Sequence, residues 1–462
     1  MKGMKKWIAL LMASAMCVGM MIGCRNEEPT QTRQEETEQA EANNEETEQV
    51  DTQNDEVVEI SFWDHNGSTA REEIFNVLIA EFEQENPGIK VQYVSVPSAD
   101  AKSKYDVAIQ SNTTPDCGGM AEYWMADFII QDALYPLDDM INSWEGKDGM
   151  LEPVMNSVRS MSPEGQTFAL AQNITLPAVW YNTQTMEAAG LSTPETWEDI
   201  FTAVEKTTDK AENKYGFSIR GGAGSSQQFE QMMYQYSGIQ EMFDSNGDST
   251  ANAPEHVELL EKFASIYNVY TPESDVTNGY AEMISAFDTG SAAMIFHNLG
   301  SYGEHEKTLG IGNFGAVTTL ESTKGTQVLV SNGSHVFGMF NTTEYPEETF
   351  KFISYLADHK ASSYFSEQVG TMPCNNFALQ DEWVSGLPHM KEVADALLSE
   401  SAEVVTLPIE ISGYYDLHNN ELAESFQQVL LGNMSAQDYL DNWASKMTQL
   451  KTEYDTYVES ME

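Results

Sequence analysis

The chain has 462 residues, 73 of them acidic and 23 basic, for a formal charge of −50 at neutral pH. That length exceeds what one hydrophobic core usually serves, so two lobes with appendages are expected. A surface so acidic repels polyphosphates and lacks the Lys and Arg clusters that phosphate contacts need, which excludes nucleic acid as a partner and leaves solubility as the reading of the acidity.

Residues 1–23 hold Lys2, Lys5 and Lys6, no acid, and an apolar run over 7–22. A charged start, a short apolar middle and a small-residue exit predict a signal peptide, and the run is short for a membrane span. Met21-Ile22-Gly23-Cys24 resembles the bacterial lipobox, which implies cleavage before Cys24 and lipidation of its thiol. Residues 24–56 carry Glu, Gln, Asn and Thr with hardly an aliphatic side chain. Such a segment cannot bury enough surface to offset chain entropy, so it is expected to be a disordered acidic tether holding the folded body at the extracellular face of the cytoplasmic membrane. With Cys17 in the signal and Cys24 given to lipid, Cys117 and Cys374 remain. Their separation in sequence leaves both pairing and free thiols open.

The folded body begins at Val57, where residues 57–63 alternate as a strand that ends in Asp64-His65-Asn66-Gly67. Ile74, Val77, Leu78 and Phe82 recur at helical spacing, Asn86-Pro87-Gly88 stops that helix, and residues 89–96 read as a second strand. An amphipathic stretch over 99–110, a break at Thr114-Pro115-Asp116 and a helix-like stretch over 122–131 follow. Strand and helix alternate, which predicts an α/β fold with parallel sheets and ligands outside the carboxyl ends of the strands. Thr196-Trp197-Glu198-Asp199 has the form of a capping box opening a helix through Val204. Later helix-like stretches carry Phe350, Ile353, Leu356 and Tyr364, then Leu422, Phe426, Val429, Leu430, Tyr439 and Trp443. No repeat of fixed period is present, which argues against a solenoid or propeller.

Six fragments then occur in one order. They are Phe82-Glu83 with Asn86-Pro87-Gly88-Ile89-Lys90-Val91, Pro115-Asp116, Leu134-Tyr135-Pro136-Leu137-Asp138, Trp180-Tyr181-Asn182 with Ala189-Gly190-Leu191 and Pro194-Glu195-Thr196-Trp197, Phe287 to Met294, and Gly370-Thr371-Met372-Pro373. In this order the chain resembles the extracellular solute-binding proteins of ABC importers, in particular the carbohydrate-binding, maltose-binding-protein-like group. The resemblance covers residues 57 to about 455. It implies a two-lobed periplasmic-binding-protein-like fold with a hinge between the lobes and a solute in the cleft. The lobes are expected at 57–165 with 295–345, and at 166–294 with 346–462. It also implies a monomer that captures a sugar or oligosaccharide and hands it to membrane permeases, with no cofactor.

A sugar offers hydroxyls around its rim and weakly polar C–H faces, so its pocket pairs aromatic plates with carboxylate and amide hydrogen bonders. Candidate ligand-binding residues at strand ends and turns are Asp64, His65, Glu122, Tyr123, Trp124, Asn173, Thr175, Gln228, His297, Asn298, Asn332, Tyr414 and Tyr415. Structural roles compete with this: Asp64 and Asn66 also suit helix caps, Trp124 suits a core, and His297 suits a backbone hydrogen bond. The same fold holding a polyamine, peptide or phosphate ester is an alternative, as is a surface glycosidase or adhesin. Asp244, Asn246, Asp248, Thr250, Asn252 and Glu255 fall at calcium-loop spacing, but Ser249 stands where the sharp turn demands Gly, and no metal is assigned. No G-x-S-x-G, P-loop or HExxH is present, so no enzyme is expected.

Overall fold

The computed structural model describes residues 57–174, 176–331, 333–399 and 403–460. The expected signal peptide, Cys24 and the tether lie outside these residues, as do Thr175 and Asn332.

Among the described residues twelve strands follow in chain order: β1 (Val58–Asp64), β2 (Ile89–Ser95), β3 (Cys117–Ala121), β4 (Ala169–Ile174), β5 (Pro177–Asn182), β6 (Tyr215–Ser218), β7 (Ala292–Asn298), β8 (Phe314–Val317), β9 (Val328–Ser331), β10 (Ser334–Met339), β11 (Met372–Pro373) and β12 (Glu403–Thr406). Six form one sheet in the order β11-β4-β10-β3-β1-β2, four form another in the order β6-β7-β5-β8, and β12 pairs with β9. Pairing is parallel at β1–β2, β1–β3 and β6–β7, whereas β10 lies antiparallel to β3 and β4, and β5 antiparallel to β7 and β8. The sheets are therefore mixed rather than parallel throughout. Strands that enter from the other sheet arrive without a covering helix of their own and are free to run either way.

Local sequence explains the first elements. Ile60 and Phe62 alternate inward along β1, and Ser68 caps the next helix, Thr69–Glu85, by accepting the Arg71 N–H at 3.3 Å. Ile74, Phe75, Leu78 and Phe82 bury one face of that helix, while Val77, expected on the same face, is 43% exposed. Phe62 meets Phe75 at 5.2 Å and Phe352 at 5.4 Å, and Phe82 meets Phe352 at 5.0 Å, so the helix and Pro346–Ala357 lie side by side on one face of the first sheet. The expected capping box is present: Thr196 Oγ1 accepts the Asp199 N–H at 3.2 Å, and Asp199 accepts the Thr196 N–H at 3.0 Å. A second apolar cluster gathers Trp180, Phe229, Phe263 and Phe296 with the C-terminal Phe426, Tyr439 and Trp443.

The chain passes from the first sheet to the second between β4 and β5, and returns from β8 by way of β9 to β10. These crossings move the expected lobe limits. β4 belongs to the first sheet although the sequence places 166 onward in the second lobe, and the end of β7 belongs to the second sheet although the sequence places 295 onward in the first. Helices Pro346–Ala357 and His359–Val369 pack on the first sheet, where Phe352 and Phe365 join the Phe62 cluster, and not on the second. At the return crossing Gly333 has φ +92°, a backbone conformation that strains any other residue, and a Cβ there would also push on Ile409 Cδ1 at 2.6 Å. Cys117 and Cys374 are both buried and free.

Candidate functional site

A cleft of about 520 Å³ lies between the two sheets, at the ends of β1, β3, β4 and β7. From the first sheet's side it takes Asn66, Arg71, Tyr123, Asn173, Ser334, His335 and Thr371, and from the second Tyr280, His297, Asn298 and Glu304. Its size falls in the range of small-molecule sites, about 300–1,000 Å³.

Asp64 is fully buried and does not line the cleft. It holds the Arg71 guanidinium through both oxygens, at 2.7 and 2.9 Å, and accepts the Tyr93 hydroxyl at 3.1 Å. Its partner Arg71 reaches the cleft instead, lying over the ring of Phe365 at 4.9 Å. His65 is buried against Trp124 and His335, with ring centroids 5.6 and 4.8 Å apart, and burial holds its pKa well below the usual histidine value.

Glu122 is also buried away from the cleft. It accepts the Ser334 N–H at 2.6 Å together with the hydroxyls of Ser334 and Ser157, and burial pushes its pKa up against those hydrogen bonds. Glu122 therefore holds the start of β10, just past the return crossing. Gln228 likewise serves the interior, donating to the Phe296 carbonyl from the helix Ser225–Ser237. Trp124 is 7% exposed and packs in the core beside a second, smaller cavity.

Tyr123, Asn173, His297 and Asn298 do line the cleft. Asn298 caps the turn that follows β7 by accepting the Gly300 N–H at 3.0 Å. His297 packs against Tyr280 at 4.8 Å, and burial with the Arg220 charge lowers its pKa to about 3. Tyr414 and Tyr415 part ways. Tyr414 is buried and donates to Glu230, whereas Tyr415 is 43% exposed and stacks on Tyr123 at 5.1 Å and 12°.

Sequence reasoning missed Arg71, Tyr280, Glu304, Ser334, His335 and Thr371. Thr371 sits inside the Gly370-Thr371-Met372-Pro373 turn, and Tyr280 opens a helix after Gly279, but no local pattern marks Arg71 or His335. Burial with the Arg71 charge lowers His335 to about 4. Asn173 Oδ1, His297 Nδ1, His335 Nδ1 and Thr371 Oγ1 are buried with no protein partner. Four lining residues thus carry unmet hydrogen-bonding capacity beside the cleft. Charge is sparse. Arg71 is neutralised by Asp64, His297 and His335 are uncharged at neutral pH, and Glu304 is the only carboxylate among the described lining residues.

The calcium-spaced loop closes on itself. Asp244 accepts the backbone N–H of Asn246 at 2.7 Å and of Asp248 at 3.0 Å, with Gly247 turning at φ +84°. Among the described residues no group of three or more His, Cys, Asp or Glu could hold a metal ion.

A family model described as "Bacterial extracellular solute-binding protein" matches residues 66–362. The "Putative ABC transporter periplasmic-binding protein YcjN" of Escherichia coli (strain K12) is 24% identical over 324 residues, 69% of this chain and 73% of that one. The GacH receptor of Streptomyces glaucescens, solved unliganded and with acarbose, superposes with TM-score 0.72 at 22% identity, covering 85% of this chain and 98% of its own. An ABC substrate-binding protein of Listeria monocytogenes in complex with cycloalternan superposes with TM-score 0.70 at 17% identity, covering 85% and 98%.

Proposed function

The chain belongs to the bacterial extracellular solute-binding proteins, and from that premise we propose that it is the sugar-capturing component of an ABC importer. The observation that carries the sugar reading is the cleft itself, with four lining residues holding unpartnered buried polar atoms and almost no free charge. Amides, hydroxyls, neutral imidazoles and tyrosine rings suit a neutral polyol, whose hydroxyls both donate and accept and whose C–H faces lie on aromatic plates. The acarbose and cycloalternan complexes of the two similar structures support the same ligand class.

The rival ligands fit less well. A polyamine needs several free carboxylates, yet Asp64 is bound to Arg71 and Glu122 to two serines, which leaves Glu304. A phosphate ester needs an uncompensated cation, and the guanidinium of Arg71 already pairs with the Asp64 carboxylate through Nε and Nη2. A glycosidase needs two carboxyls flanking the scissile bond, and the described lining residues supply one. In this reading the solute bridges both sheets and favours a closed arrangement that the permeases recognise. The leader would export the chain, and lipid on Cys24 would hold it, as a monomer, outside the cytoplasmic membrane.

Intrinsic-fluorescence titration of the full chain against mono- and oligosaccharides, with spermidine and inorganic phosphate as further arms, tests the ligand class. Saturable change with a sugar and none with the other two is expected. Response to spermidine alone would overturn the sugar reading, and new reducing ends after incubation with a bound oligosaccharide would overturn the carrier reading.

A further inference from the structure

Beside the cleft lies a second cavity of about 240 Å³. Tyr123 is the one described residue that borders both. Tyr415 lies nearly parallel on the ring of Tyr123, 5.1 Å away, and so occupies one face of the aromatic plate that the two cavities share. The backbone beneath Tyr415 is well fixed. Its neighbour Tyr414 is bonded to buried Glu230, and His418, one turn on, meets Ser226 Oγ at 3.0 Å. The ring of Tyr415 itself is 43% exposed.

The smaller cavity also pairs aromatic walls with polar groups. Trp124 and Tyr414 give it the walls, Lys102 meets Asp106 at 2.7 Å and Asp127 at 3.5 Å, Ser412 donates to Asp127 at 3.2 Å, and Asp416 adds a further carboxylate. A hydroxylated ring would find a plate and carboxylate acceptors for its hydroxyls there.

We infer that Tyr415 is a gate at one end of the saccharide cleft and that the cavity beyond it is a further saccharide subsite, so that this side chain limits the length of oligosaccharide bound. The inference rests on the sugar reading of the cleft. With the gate stacked on Tyr123, the chain of sugar rings ends at Tyr123. When the gate ring turns away, the freed face of Tyr123 continues the run of aromatic surface into the second cavity. The motion is cheap, because an offset tyrosine stack accounts for only about a two- to tenfold factor in an equilibrium constant.

Calorimetric titration of the full chain with the malto-, cello- and xylo-oligosaccharide series, from two to six or seven sugar units, reads the gate directly. The wild type is expected to gain affinity with length and then level off. Tyr415→Ala is expected to raise the affinity for the longest chain relative to the shortest by about tenfold, which is one further subsite at about 1.4 kcal/mol. Tyr415→Phe, which keeps the ring, should restore the limit. Near-ultraviolet circular dichroism confirms that both variants are folded. A Tyr415→Ala length profile equal to that of the wild type, or a uniform loss at every length, overturns the gate and leaves the sugar reading standing. No binding of any member by the wild type overturns the gate, and the sugar reading falls with it only where the mono- and oligosaccharide titration also gives no response.

Discussion

Replacing Glu122 by Gln separates a residue that touches ligand from one that holds the fold. Its carboxylate accepts three hydrogen bonds, two from Ser334 and one from Ser157. Hydrogen bonds to a charged acceptor contribute about 1.5–3 kcal/mol and neutral ones about 0.5–1.5, so loss of the charge weakens the three together by roughly 3 kcal/mol. Part of this is returned, because burial already disfavours the ionised form of Glu122 and pushes its pKa up. A net destabilisation of about 1–2 kcal/mol remains. It is read as a lower guanidinium chloride midpoint at unchanged slope. Since Glu122 does not line the cleft, the affinity of the folded variant for its best oligosaccharide should change by less than about threefold, or roughly 0.6 kcal/mol. Stability equal to that of the wild type together with lost binding would refute this reasoning and return Glu122 to the ligand.

Asp64→Asn leaves the buried guanidinium of Arg71 without its counter-charge, which should cost about 3–5 kcal/mol in chemical denaturation; a loss under about 1 kcal/mol would contradict the buried pair. Burial holds His297 near a pKa of about 3 and His335 near about 4, so both stay neutral through the physiological range and sugar affinity should be flat between about pH 6 and 8.5 by calorimetry. A tenfold change inside that window that persists in Glu410→Gln would contradict cleft histidines that stay neutral there. Burial raises Glu410 from 4.5 to about 7. A raised carboxyl favours the folded state below its unfolded pKa, and that contribution is lost as pH rises through about 7. The wild-type denaturation midpoint should therefore fall from pH 5 to pH 8, and Glu410→Gln should remove about 1–2 kcal/mol of the fall; equal slopes in both proteins would rule Glu410 out.

Elements built from local signals are legible in the amino-acid sequence alone. Alternation along Val58–Asp64, helical spacing of Ile74, Leu78 and Phe82, the stop at Asn86-Pro87-Gly88 and the box at Thr196 and Asp199 each depend on neighbours within a few residues, and each is present. The family followed from six short fragments in order, because turns, caps and strand starts leave their residues in the sequence. Val77 shows the limit of spacing alone, since it lies on the expected face and yet remains exposed.

Which polar side chain faces the ligand is a different kind of fact. Asp64 and Tyr123 sit equally near strand ends, but a guanidinium seven residues further on turns Asp64 inward, and a tyrosine nearly three hundred residues away lies on Tyr123. Glu122 is taken up by Ser334 across 212 residues, and Gln228 by the carbonyl of Phe296 across 68. The lobe limits moved for the same reason, because hydrogen bonding of β4 into the first sheet is settled by β10, which the chain supplies some 160 residues later. The sequence by itself determined the α/β elements, the family and the kind of side chain that a cleft would need, all of which rest on residues close together in the chain. Only the tertiary structure decided which of those side chains were consumed by distant partners and which, like Asn173, His335 and Thr371, border the cleft with a buried polar atom left unpartnered.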